Sequence, residues 1–161
     1  MSKKKILFVC MGNVIRSPLA EHLFSRLAAQ AGRGDEFEVD SGGIDDWHVG
    51  ELPDYRMRKV AEAHGLIYEG RARQVNQRDL RLFDLIIPMD TSNRQALYAM
   101  ANSPEQKSKI HLLREYDPQG GVHASVPDPY YEGLQGFEQT YQIIERSLRG
   151  LLQSLEGQAQ L

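Results

Sequence analysis

The sequence has one cysteine and one tryptophan in 161 residues, and no apolar run of membrane-spanning length. A lone thiol has no partner for an internal disulfide, so the chain suits a reducing, cytoplasmic setting. A membrane helix needs about 20 successive apolar residues, which no segment approaches. Lys3-Lys4-Lys5 imitates the basic start of a signal peptide. The apolar run behind it stops at Gly12-Asn13 and soon meets Arg16, too short for the core of a leader. Basic excess is missing as well: the formal charge is −3 with no basic stripe, which argues against nucleic acid as a main partner. Nor is there a repeat, a linker, a low-complexity block or a cluster of metal-ligating residues. With 41% apolar and 25% charged residues, residues 1–161 read as a single soluble domain, large enough to bury roughly 70% of its unfolded surface.

What the chain does have is concentrated in Ile6 to Glu21, ILFVCMGNVIRSPLAE. Ile6-Leu7-Phe8-Val9 predicts a strand buried on both faces. Ser17-Pro18 predicts a helix start, with Ser17 as N-cap and Pro18 at the first helical position. Leu19, Ala20, Leu23, Phe24, Leu27 and Ala28 then recur at helical spacing, and Gly32 is the stop signal. Between strand and helix lie Cys10, Met11, Gly12, Asn13, Val14, Ile15 and Arg16. A loop entering a helix aims backbone N–H groups and a positive dipole end into one small space, which suits an anion. A thiol is a nucleophile only as its thiolate, itself an anion. The planar fork of Arg16 matches two phosphate oxygens. Gly12 permits a tight turn and close approach of a ligand, and Asn13 tolerates a left-handed conformation that directs its N–H inward. The Ser17 hydroxyl is placed to donate to the thiolate. A buried structural cysteine is the competing reading of Cys10 by itself. The Gly, Asn, Arg and Ser-Pro around it fall where an anion site needs them.

Beyond this stretch strands and helices alternate. Phe37–Ser41 reads as a second strand leaving through Gly42-Gly43, and Pro53 opens a helix that ends at His64-Gly65, with His64 complementing the helix dipole. Phe83–Met89 is the third strand, with Asp90 at its C-terminal end and Thr91 or Ser92 capping the next helix. Ile110–Leu113 is the fourth strand, and Leu134–Leu155 is a helix striped by Phe137, Tyr141, Ile144, Leu148, Leu151 and Leu152. Arg71, Arg73, Arg78 and Arg81 read as a solvated basic face. The fold class is α/β: a doubly wound sheet of four parallel strands, helices on both faces, and a phosphate-binding loop between strand 1 and helix 1. Expelling an alkoxide or phenolate from phosphorus needs a proton donor. Of two Asp-Pro pairs, Asp117-Pro118 leads into an ordinary Gln-Gly-Gly turn and reads as structural. Asp128-Pro129 is followed by Tyr130-Tyr131, aromatics placed to line an entrance, and Asp128 is the chosen acid.

VCMGNVIRSPLAE resembles the N-terminal signature of the low-molecular-weight protein tyrosine phosphatases. The resemblance continues through DSGGIDDWHVG, MDTSN and DPYYEG to the C-terminal helix. It implies a four-stranded parallel α/β fold and hydrolysis of phosphotyrosine and aryl phosphate monoesters through a cysteinyl-phosphate, without metal or cofactor. It further implies Cys10 as nucleophile, Asp128 as acid, and a phosphate cradle of Met11, Gly12, Asn13, Val14, Ile15 and Arg16. Trp47, Tyr130 and Tyr131 would wall an aryl ring; for Trp47, loop packing is the competing role. Glu21 and Ser41 would support Asn13, and Ser17 would support the loop as donor to the thiolate. Asp90 would orient Arg16, with a capping or turn role standing beside it. The implied partners are tyrosine-phosphorylated proteins, with phosphate and vanadate as inhibitory anions; no nucleic acid or membrane is expected, and the chain is expected to be a monomer or weakly self-associating. Two positions depart from the pattern: Ile15 where many relatives have a second cysteine, and Gly70 where many have a histidine that helps hold the loop Asn.

Three other readings compete. Val14 is apolar where protein-arginine phosphatase relatives carry Thr, so phosphotyrosine is favoured and phosphoarginine is the runner-up. A thiol-dependent arsenate reductase shares this fold and loop but needs further cysteines to relay a disulfide, and the chain has none. A non-catalytic phosphate-binding module would keep Arg16 and the loop without needing Asp128.

Overall fold

In the computed structural model, which describes residues 2–156, β1 (Lys4–Cys10) lies between β2 (Phe37–Gly43) and β3 (Leu85–Pro88), all three parallel. The unbroken apolar run of β1 follows from burial on both faces. Ile6 and Phe8 join a core with α1 (Arg16–Gln30) and α6 (Leu134–Ser154), while Leu7 and Val9 join a second with α3 (Gln77–Leu82) and α4 (Thr91–Met100). The α6 stripe is buried as its spacing implies, from Phe137 through Leu151, with Leu152 at the margin.

Helix α1 starts before Ser17, with Ile15 as N-cap and no side-chain cap, so Ser17 and Pro18 are its second and third residues. The Ser17 hydroxyl bonds to the loop instead. At the other end Gly32 adopts φ 74°, Gly32 N–H donates to Ala29 O and Arg33 N–H to Ala28 O, the paired bonds of a Schellman stop. Strand β2 continues through Gly42-Gly43 rather than ending at Ser41, because Gly43 pairs with Cys10. A Cβ at Gly43 would lie 3.0 Å from backbone atoms of Met11, Gly12 and Asn13, so the loop can pack directly on this strand end.

Helix α2 (Tyr55–Ala63) starts two residues after Pro53, capped by Asp54, and Asp90, not Thr91 or Ser92, caps α4. The sequence reading missed α3, held by an Asn76–Asp79 capping box, and the short α5 (Pro104–Ser108). His64 sits at the C-cap of α2 as expected, but its ring stacks on Tyr141 and meets Glu138, tying α2 to α6.

The expected fourth strand does not form. Ile110 makes a single parallel bridge to Ile86, through Ile86 N–H to Lys109 O and His111 N–H to Ile86 O. Pairing stops there because the Glu115 carboxylate takes the Leu112 N–H at 2.8 Å, and Leu113–Tyr116 turns into a 3-10 helix. The sheet therefore has three strands among the described residues. None of the described helices is long and apolar enough to cross a membrane.

Candidate active site

Strand β1 ends at Cys10 and α1 begins at Arg16, so the five residues between them curl at the C-terminal edge of the sheet. The loop's carbonyls are bound by neighbouring segments. Ile44 N–H donates to Cys10 O at 3.0 Å, Asp45 N–H to Met11 O at 2.9 Å, and Asp54 N–H to Val14 O at 2.7 Å. A trans peptide points its N–H opposite its C=O. The Gly12 and Ile15 N–H groups therefore face away from these anchors, on residues that line a cleft of about 290 Å³. Cys10, Met11, Val14, Arg16, Trp47, Asp128, Tyr130 and Tyr131 line the same cleft.

Asn13 explains the loop's shape. It is the one described non-glycine residue with positive φ, 58°, and it is buried. Its Nδ2 donates to Ser17 Oγ at 2.9 Å and to Ser41 Oγ at 3.0 Å, and its Oδ1 accepts from Arg73 N–H at 2.9 Å. Ser41 Oγ in turn donates to Glu21 Oε1 at 2.6 Å. Burial raises the Glu21 carboxyl, against the lowering pull of Ser41 and His22. Gly70, at φ 135°, has a backbone conformation that disfavours any side chain, and His22 lies beside it. The Arg73 backbone thus supplies the third hold on Asn13. Arg73 is no solvated cation: its guanidinium is clamped between Asp40 and Asp79 at 3.0 to 3.2 Å, while Arg71, Arg78 and Arg81 are exposed.

Cys10 Sγ lies 3.0 Å from Ser17 Oγ, and its residue surface is 3% exposed. Arg16 is 2% exposed; its Nη1 donates to Asp90 Oδ2 at 2.8 Å and to Val126 O at 2.9 Å. Asp90 holds both roles left open by the sequence, since its other oxygen accepts Asn93 N–H at 2.7 Å as the α4 cap. With Nη1 engaged, Arg16 Nη2 lies 3.6 Å from Asp128 Oδ2 across the cleft. Asp128 is half-exposed and accepts Tyr130 N–H at 3.1 Å, an aspartate turn that presents its second oxygen to the cleft. Trp47 and Tyr131 stand largely in solvent at the mouth, and Tyr130 meets Tyr131 edge-on at 5.0 Å. Asp117 sits apart, held by Arg114 and Arg146.

The structure also adds residues the sequence reading missed. Asp45 and His48 line the cleft, and a Cβ on Gly12 would come within 2.8 Å of the His48 ring. Their place in the DSGGIDDWHVG stretch beside Trp47 was the available signal. Among the described residues no group of three or more His, Cys, Asp or Glu could hold a metal ion.

A buried thiol, a buried guanidinium and a half-exposed carboxylate thus share one cleft with the Gly12 and Ile15 backbone of the loop. The family model described as low molecular weight phosphotyrosine protein phosphatase matches residues 5–161. A Streptomyces coelicolor low molecular weight protein-tyrosine-phosphatase is 38% identical, over 97% of this chain and 96% of that one. A Bacillus subtilis protein of the same description is 40% identical, over 97% and 98%. The crystal structure of an Entamoeba histolytica protein tyrosine phosphatase with Hepes in its active site superposes with a TM-score of 0.91. That match has 33% identity and covers 99% of this chain and 100% of that one. The chain belongs to the low molecular weight phosphotyrosine protein phosphatase family.

Proposed function

We propose that the chain acts as a single cytoplasmic phosphatase domain that hydrolyses phosphotyrosine on proteins through a cysteinyl-phosphate. The observation that carries this reading is the convergence of Cys10, Arg16 and Asp128 on one cleft. Cys10 thiolate attacks phosphorus in line while Arg16 and the loop N–H groups stabilise the equatorial oxygens. The bond from phosphorus to the phenolic oxygen breaks as Asp128 gives that oxygen its proton. Asp128, now ionised, takes a proton from water, whose oxygen displaces the Cys10 sulfur and releases phosphate. Ser17 stabilises the departing thiolate, and Asp90 holds Arg16 Nη1 so that Nη2 stays turned to the cleft. Glu21, Ser41 and the Arg73 backbone keep Asn13 in its left-handed conformation.

The substrate class follows from the walls. Val14, Trp47, Tyr130 and Tyr131 give the cleft an apolar, aromatic mouth that suits a phenyl ring carried on a peptide. Phosphate and vanadate would occupy the loop as inhibitory anions.

Turnover of p-nitrophenyl phosphate, inhibited by vanadate and abolished by Cys10→Ser with phosphate binding retained, is the expected result. A non-catalytic phosphate-binding module would bind vanadate without turnover. Side-by-side kinetics on phosphotyrosine and phosphoarginine peptides should favour phosphotyrosine; the opposite preference would overturn the substrate assignment.

A further inference from the structure

We propose that Arg56 is a positioning residue for the general acid, latching the turn that carries Asp128 onto the helix that anchors the phosphate loop. The inference rests on Asp128 as proton donor. Residues 128–132 form a local turn, closed by Tyr130 N–H to Asp128 Oδ1 at 3.1 Å and Glu132 N–H to Pro129 O at 2.7 Å. Among the described residues, one hydrogen bond ties that turn to another element: Arg56 Nη1 donates to Tyr130 O at 2.8 Å. The same guanidinium lies 5.3 Å from the Tyr130 ring centroid and 4.5 Å from that of Phe137 in the first turn of α6. It therefore grips the chain both at the turn and just beyond it.

Arg56 is itself fixed. The Asp54 carboxylate accepts from Arg56 Nε at 3.2 Å, from Nη2 at 3.0 Å and from the Arg56 backbone N–H at 2.8 Å, a forked pair with few rotamers left. The Asp54 backbone N–H donates to Val14 O in the phosphate loop at 2.7 Å. A continuous path thus runs from Val14 through Asp54 and Arg56 to Tyr130, two residues from Asp128. It sets the distance between the groups that bind phosphate and the group that protonates the leaving oxygen, where small misplacements are costly. Among the described residues, the Asp128 carboxylate, half-exposed and 3.6 Å from Arg16, has no hydrogen bond of its own to a neighbouring element that would hold it there.

Leaving-group dependence of kcat/KM tests this, because it reports the step in which the acid acts. Phenyl phosphate needs the proton and 2,4-dinitrophenyl phosphate does not. Arg56→Gln should lower kcat/KM on phenyl phosphate about tenfold or more, and on the dinitrophenyl ester less than about twofold. Arg56→Lys, which keeps the charge and stem but loses the fork, should not restore the phenyl rate. In an Asp128→Asn background, Arg56→Gln should add less than about twofold on either ester, since two residues serving one proton transfer are not additive. Equal losses on both esters in both Arg56 variants, no loss on either ester, or a full further loss in the Asp128→Asn background would overturn the latch. If Asp128→Asn loses phenyl phosphate activity while Arg56→Gln does not, the latch fails and the acid assignment stands. If Asp128→Asn behaves as the parent on both esters, the acid assignment fails and takes the latch with it.

Discussion

Ser17 Oγ lies 3.0 Å from Cys10 Sγ while accepting a hydrogen bond from Asn13 Nδ2 at 2.9 Å. With one lone pair committed to Asn13, the hydroxyl proton is directed toward the sulfur or the more distant Gly42 O at 3.4 Å. Ser17→Ala removes a donor to the thiolate as it leaves the phospho-intermediate, a bond to an ion worth about 1.5–3 kcal/mol. The expected outcome is a kcat about ten- to a hundredfold lower, with a pre-steady-state burst of p-nitrophenol as breakdown of the intermediate becomes slow. Unchanged kcat would remove Ser17 from the mechanism.

Asp128→Ala should slow aryl phosphates in order of leaving-group basicity, by about a hundredfold for the poorest, whereas Asp117→Asn should leave their kcat/KM near the parent value. Asp117 is fully enclosed and bound by Arg114 at 3.0 Å and Arg146 at 2.6 and 3.0 Å, away from the cleft. Equal losses from the two changes would refute the choice of acid.

Asp117 instead carries a stability effect that depends on pH. Burial pushes its carboxyl up, but the hydrogen bonds from Arg146, Gln119 N–H and Arg114 outweigh that and bring it down to about 2. The folded value lies below the ordinary one of 3.8, so the folded state binds the proton less readily than the unfolded chain. Its contribution, about 2 kcal/mol, is fully present above the ordinary carboxylate range and is lost as pH falls toward about 2. Urea unfolding should show Asp117→Asn less stable than the parent at neutral pH, with the gap closing in acid. A gap constant with pH would contradict the ion-paired assignment.

Gly43→Ala tests the seat of the loop. Its new Cβ would lie 3.0 Å from Met11 O, Gly12 C and Asn13 N, all backbone, so the loop must shift. The expected result is weaker vanadate inhibition with a stability loss of about 1–3 kcal/mol. Parent-like vanadate affinity would show that the loop tolerates displacement.

These outcomes separate what the sequence made legible from what it did not. The strand, loop and first helix could be read because β1 is buried on both faces and its apolar run is therefore unbroken. The cleft residues could be read because the loop is local, and because Asp128 carries its own turn and aromatics. The missing fourth strand could not, since Ile110 reaches Ile86 for one bridge before the Glu115 side chain captures the Leu112 N–H. Arg73 looked like one of four similar cations. Its clamp depends on Asp40, 33 residues earlier, and on the α3 cap residue Asp79. Ser17 looked like an N-cap because serine before proline usually is one; the demands of Asn13 and Cys10 drew its hydroxyl away.

Cys10 is the chain's only cysteine, and Ile15 stands beside Arg16. A sulfenic acid at Cys10 therefore meets no second thiol in the chain and proceeds toward sulfinic acid. Peroxide inactivation should be restored by dithiothreitol less completely than in relatives with two cysteines. Full, rapid recovery after prolonged peroxide would point to another protective route.

The most direct test of the central assignment is rapid acid quench during p-nitrophenyl phosphate turnover, followed by peptide mass spectrometry, using Asp128→Ala to slow breakdown of the intermediate. The expected result is one phosphoryl group on the peptide containing Cys10, absent in Cys10→Ser and absent when vanadate occupies the loop. Turnover with no phosphoryl group on Cys10, or near-normal turnover by Cys10→Ser, would contradict it.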